Sequence, residues 1–165
     1  MKNLIQKYKK FFFGFILILL IFLIDRISKI YVISLTKENF NINIYTSEFL
    51  NFTLIWNEGI AFGLFSHGNE LFYNILTALI ALISIGVLFF SLKYQGLRRY
   101  ALLCVFGGSL GNLYDRISLS AVPDFIDFHI NEFHWFVFNV ADIFISIGVI
   151  IMIMTEFFVK DKKSK

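Results

Sequence analysis

The residues best suited to chemistry lie between Gly107 and Asp142, where the chain reads GGSLGNLYDRISLSAVPDFIDFHINEFHWFVFNVAD. The stretch leaves one apolar segment through Asn112, Asp115 and Arg116, crosses a short aromatic loop with Asp124 and Asp127, and enters another at Asn139 and Asp142. Carboxylates where a chain meets a bilayer are expensive, so each needs a reason. Two that share one site cannot both ionise readily, and one keeps its proton near neutral pH. The ionised member can deprotonate a water that attacks a peptide carbonyl. The protonated member polarises that carbonyl and then protonates the leaving amine. Asp124 and Asp142 are the candidates, because they fall at the same depth at the ends of two successive apolar segments. Each also has a plainer reading. Asn139 suits a helix cap, with Asp142 as the first-turn carboxylate that the helix dipole favours. Asp124, after Pro123, reads in isolation as a solvated loop residue. A pair of this kind titrates as a unit, so neither role is given to one residue.

Other matches to chemical motifs fall away. Gly107-Gly108-Ser109-Leu110-Gly111 fits G-x-S-x-G, but that nucleophile elbow needs a strand-to-helix turn and here lies in an apolar span. Ser34-Leu35-Thr36-Lys37 fits S-x-x-K without its companion motifs. His129 and His134 are five apart, which does not set both imidazoles on one helical face, so no metal is expected there. Asn51-Phe52-Thr53 fits a glycosylation acceptor that is common by chance. The single cysteine, Cys104, cannot form an intrachain disulfide.

The elements that must position the carboxylates are membrane spans. The chain of 165 residues is 58% hydrophobic and contains 22 phenylalanines and one proline, a composition foreign to soluble domains of this size. Four apolar segments, about 11–35, 71–92, 100–119 and 139–159, each approach the ~20 residues that cross a bilayer. The first imitates a signal peptide, but it meets Asp25, Arg26 and Lys29 with no small-x-small cleavage site, and reads as a retained span. Asp25 and Lys29 are spaced to pair, while Arg26 and Lys29 lie near enough to the outer face to snorkel. Gly107 and Gly111 form a G-x-x-x-G that permits close helix contact. Asn112, Asp115 and Arg116 share the face beyond it, and a buried Arg116 would need Asp115 or a similar partner.

Basic residues set the orientation. Lys2, Lys7, Lys9 and Lys10 precede the first span, Lys93, Arg98 and Arg99 lie between the second and third, and Lys160, Lys162, Lys163 and Lys165 follow the fourth. By the positive-inside rule both termini and the short middle loop are cytoplasmic, and the two longer connections face outward. The first outer connection, about 36–70, holds FNINIY (40–45) and FLNFTLIW (49–56), which read as short strands, then a turn at Asn57-Glu58-Gly59 and an apolar AFGLF. Unpaired strand edges are unstable in hydrocarbon, so this small sheet is expected on the outer leaflet. Its aromatic residues suit gripping lipid chains and an extended peptide, or simple anchoring at the bilayer interface. With no linker or repeat, residues 1–165 are expected to form a single membrane domain. A rival reading is a small transporter, with Asp25, Asp115 and Asp142 relaying ions. The clustering of these carboxylates toward one face argues against it.

The chain resembles the bacterial lipoprotein signal peptidases, also called signal peptidase II or prolipoprotein signal peptidase. The likeness runs through Asp25-x-x-Ser28-Lys29, Asn57-x-Gly59-x-Ala61-Phe62, Gly107-Gly108-x-x-Gly111-Asn112-x-x-Asp115-Arg116, Asp124-Phe125 and Phe138-Asn139-x-Ala141-Asp142, five blocks in order over nearly the whole chain. It departs at Ser109, where a small apolar residue is common, and at Pro123, where a β-branched residue is frequent. The resemblance implies an α-helical integral membrane protein with four transmembrane helices and a small extracytoplasmic β-sheet element. It also implies an aspartyl endopeptidase that cuts before a cysteine already carrying diacylglycerol, needs no metal or cofactor, and is blocked by globomycin. The catalytic aspartates then map to Asp124 and Asp142. Asn57, Asn112, Arg116 and Asn139 match polar positions that shape the site, and Asp25 and Asp115 match supporting carboxylates. The expected partners are a prolipoprotein and membrane lipid, with no nucleic acid. A monomer in the bacterial cytoplasmic (inner) membrane is expected.

Overall fold

The computed structural model describes residues 2–39, 43–59, 70–131 and 133–163. In chain order these form helix α1 (Lys2–Asn39), strands β1 (Asn43–Thr46) and β2 (Leu50–Asn57), helices α2 (Glu70–Lys93) and α3 (Leu97–Leu119), strands β3 (Val122–Ile130) and β4 (Phe133–Phe138), and helix α4 (Val140–Lys163). The segments 8–36 of α1, 70–93 of α2 and 140–157 of α4 are long and apolar enough to cross a membrane. The molecule is a multi-pass membrane protein. The sequence places charges at both ends of α3: Arg98 and Arg99 at its start, Asp115 and Arg116 near its close.

Polarity is inverted relative to a water-soluble bundle. Leu82, Ile83 and Ile85 of α2 are well exposed, as are Ile147 and Ile150 of α4, whereas Asp25, Lys29, Asp115 and Asn139 are sealed inside. Outward apolar surface suits lipid, and polar groups held inside must satisfy one another. Helix α3 is central and packs against α1, α2 and α4. Two faces of its glycine cluster bring α1 and α4 close. Gly107 and Gly111, the pair expected to permit close contact, lie against Ile21 and Asp25 of α1. Gly108 turns to α4 instead, where an added Cβ would sit 2.4 Å from the Ala141 carbonyl oxygen. Gly148 returns the contact lower down, its missing Cβ 2.5 Å from the Ala101 carbonyl oxygen. Such backbone approach is how helices associate without a solvent-driven force.

The strands form one antiparallel sheet in the order β1-β2-β3-β4. Strands β1 and β2 fall close to the expected runs, although residues 40–42 and the AFGLF segment lie outside the described residues. The aromatic loop after α3 is a correction: it is the β3–β4 hairpin, reversed at Asn131 with φ 52°. Asparagine tolerates that left-handed conformation, which gives the turn its chemistry. Asp124 is therefore a strand residue opposite Ile55, and is buried. Pro123 precedes it near the start of β3, where a missing N–H does little harm to a ladder. The hairpin also pairs His129 directly with His134. A spacing of five separates two imidazoles only on a helix; across this hairpin it makes them partners.

Candidate active site

Asp124 and Asp142 line one cavity of about 370 Å³. Asn139, between β4 and α4, touches both. Its side-chain Nδ2 donates to Asp124 Oδ1 at 2.6 Å and its backbone N–H to Asp142 Oδ2 at 3.1 Å. Asn139 Oδ1 in turn accepts the Asp142 N–H at 3.1 Å, which completes a reciprocal cap three residues apart at the start of α4. The cap expected for this helix is present, and it positions the carboxylate as well as ending the helix.

Two further asparagines complete the surroundings. Asn57, at the end of β2, donates through Nδ2 to Asp124 Oδ2 at 2.9 Å, while its Oδ1 accepts the Gly59 N–H. Asn112 of α3 donates to Asp142 Oδ1 at 2.8 Å, while its Oδ1 accepts from Lys29 Nζ at 2.9 Å. Every oxygen of the two aspartates thus receives a hydrogen bond. Each donating amide is fixed by a donor on its own oxygen, so it cannot flip.

Burial pushes the Asp124 carboxyl up to about 6, and the neighbouring Asp142 carboxylate adds to the rise. Donation from Asn57 and Asn139, and the Lys29 cation, oppose it. A group poised there exchanges its proton near neutral pH.

Beneath the pair lies an ionic network between α1 and α3. Lys29 Nζ donates to Asp25 at 3.0 Å and Asp115 at 2.7 Å as well as to Asn112, which uses all three of its protons. Arg26 bridges the same two carboxylates, reaching Asp25 at 2.9 Å and both oxygens of Asp115, and its guanidinium lies over the Tyr114 ring. Asp25 also accepts the Ala141 N–H at 3.0 Å, so α1 satisfies one of the free donors in the first turn of α4. The expected Asp25–Lys29 pair is present. The snorkelling expected of Arg26 and Lys29 is not: both turn inward, because Asp25 and Asp115 would otherwise be buried without countercharge. Nor does Asp115 pair with Arg116. Arg116 donates to the Gly59 carbonyl and lies over the Tyr73 ring, which anchors the turn that carries Asn57.

The structure therefore gathers Asp124, Asp142, Asn57, Asn112 and Asn139 in one cluster. Asp25 and Asp115 sit one layer below, and Arg116 to the side. Sequence reasoning missed Lys29 as the cation that ties the network to Asn112. Its i, i+4 spacing from Asp25 inside an apolar span was the available signal.

The chain matches the family model described as signal peptidase (SPase) II over residues 17–158. It is 49% identical to the lipoprotein signal peptidase of Pelagibacter ubique over 156 residues, 94% of each chain. It is 38% identical to that of Anaplasma phagocytophilum, covering 90% of this chain and 94% of the relative. A bacterial membrane enzyme solved by the in meso method at 2.3 Å resolution superposes with a TM-score of 0.70 at 28% identity, over 92% of this chain and 90% of that one.

Proposed function

The chain belongs to the signal peptidase II family, and from that premise we propose that it removes the signal peptide from diacylglyceryl-modified prolipoproteins by aspartyl catalysis, cutting before the lipid-bearing cysteine. The observation that carries the reading is the double contact of Asn139, which holds Asp124 and Asp142 in the wall of a single, mostly apolar cavity. One carboxylate removes a proton from water, and the water attacks the scissile carbonyl. The other carboxyl polarises that carbonyl and hands its proton to the departing amine. Asn57, Asn112 and Asn139 hold the carboxylate planes, and Asp25 and Asp115 hold Lys29 in place beneath them. Arg116 secures the Asn57 turn.

The rest of the cavity fits a membrane-bound substrate. Ile143, Ile147 and Ile150 form one stripe of α4 that runs from the aspartates into the apolar layer, faced by Phe136 and Phe138. An apolar leader or an acyl chain can lie along it. In this reading α3 is a fourth span, sheltered by its neighbours, with its end charges at the two membrane surfaces. The termini lie in the cytoplasm, and the sheet and aspartates lie at the outer face of the cytoplasmic membrane. The ion-relay alternative is weakened because Asp25 and Asp115 are locked by Arg26 and Lys29. Globomycin, the inhibitor implied by the resemblance, should compete for this cavity, and one chain should suffice for activity.

Purified protein reconstituted with a diacylglyceryl prolipoprotein tests the proposal. Asp124→Asn and Asp142→Asn should each lower turnover by at least ~10³-fold while the thermal unfolding midpoint stays near that of the unaltered protein. Cleavage should persist in EDTA. Near-normal turnover in either variant would remove that residue from the pair.

A further inference from the structure

A second group of chemically capable side chains lies on the β3–β4 hairpin. One ring nitrogen each from His129 and His134 and one carboxylate oxygen of Asp127 all lie within 4.8 Å of one another. We propose that Asp127, His129 and His134 bind a divalent transition-metal ion of the zinc class, at a site distinct from the aspartate pair.

The backbone has already placed the donors. His129 and His134 are direct cross-strand partners, and their rings stack with centroids 5.0 Å apart and planes 19° from parallel; because an imidazole lone pair lies in its ring plane, the exposed His134 ring turns out of this stack when both nitrogens meet one ion. Asp127 is two residues before His129 on β3, which sets both on one face of the strand. The Asp127 carboxylate approaches His134 Nδ1 at 2.8 Å and accepts from Asn51 Nδ2 at 3.2 Å, which orients it. His129 is only 9% exposed, and its Nδ1 is buried with no hydrogen-bond partner among the described residues. A buried lone pair or N–H left unmatched is costly, and a metal ion on the ring fixes its tautomer. His134 is exposed, which supplies an entry path and a ligand free to adjust.

Donor chemistry selects the ion. Two imidazoles and a carboxylate suit zinc, copper, nickel or cobalt, whereas calcium and magnesium prefer oxygen alone. On one tetrahedral ion, metal–ligand bonds of roughly 2.0–2.2 Å set donor atoms roughly 3.3–3.6 Å apart. The Asp127–His134 contact at 2.8 Å must therefore open and the wider separations, within 4.8 Å, must close, movements within reach of the exposed His134. The bound ion would join β3 to β4 beyond the Asp124 and Asn139 ends of the hairpin.

The test uses full-length protein without a polyhistidine tag, stripped of metal, in detergent micelles. Titration with ZnCl₂ by calorimetry, and with CoCl₂ by visible absorption, should show one saturable equivalent and the colour of a nitrogen–oxygen cobalt site. His134→Ala and Asp127→Asn should each weaken binding by at least about 100-fold, the upper end of what loss of an orienting partner alone does. Substitution of the third histidine of the chain, His67→Ala, should leave it unchanged. Zinc should raise the unfolding midpoint of the unaltered protein and not of His134→Ala, whose metal-free midpoint should match the parent's. No saturable binding below millimolar zinc, undiminished binding in both ligand variants, or loss of binding in His67→Ala alone would overturn the assignment. None of these readouts depends on proteolysis.

Discussion

Asn57, Asn112 and Asn139 each spend the amide oxygen on a fixed donor and turn the NH₂ toward an aspartate. Their effect on Asp124 can be read by titration. The carboxyl has an ordinary value of 3.8 and stands at about 6 here, so the folded protein holds this proton more tightly than the unfolded chain does. Its contribution to stability therefore declines as pH rises from 3.8 to about 6 and is level above. Carboxyl signals followed by isotope-edited infrared or NMR spectroscopy should show a midpoint near 6. Asp142→Asn removes a repelling charge and should lower that midpoint, though burial keeps it above the ordinary value. Asn57→Ala removes a donor that favours the ionised form and should raise it. Equal midpoints in the parent and both variants would contradict this account.

Between α1 and α3, four charges are held in one buried knot, and loss of a single member leaves the others uncompensated. Lys29→Met should destabilise the protein by about 3–5 kcal/mol, measured by denaturant unfolding in mixed micelles. Between α3 and α4 the constraint is volume. Gly108→Ala forces a methyl onto the Ala141 backbone and should cost at least about 1–3 kcal/mol while displacing Asn139 and Asp142. The helices and the small-residue contact were legible in the sequence, because length, apolar content and four-residue spacing are local properties. So was the Asn139–Asp142 cap. The hairpin was not, since VPDFIDFHI and FHWFVF carry no common two-residue turn signal and sit between two helices; the left-handed Asn131 was the one cue. The partners of Asp115 were hidden for a different reason. Helical spacing put Arg116 beside it, but the side chains that reach it come from a helix far earlier in the chain. Asp124 and Asp142 stood out by their common depth at the ends of successive apolar segments, and the family resemblance named them as a pair; taken singly, Asp124 read as a solvated loop residue and Asp142 as a helix-cap carboxylate.

At the scale of the molecule, apolar side chains cover the outside of the helices and the ionic groups occupy the middle. A charge placed outward should therefore be far more harmful than one facing in. Leu82→Lys, near the centre of α2, should oppose insertion by about 2.5–3.5 kcal/mol, measured by the membrane-integrated fraction during cell-free synthesis with microsomes. An unchanged fraction would mean that this face is not in lipid. The contact of Asn139 with both aspartates has a further consequence, for biogenesis. Strands, amides and countercharges from residues 25 to 124 emerge from the ribosome before it, yet a nascent chain that stops short of residue 142 has only one of the two proposed catalytic aspartates. On the proposed mechanism, hydrolytic competence arrives only once residue 142 has been translated, so a chain halted before it cannot attack neighbouring precursors in the translocon.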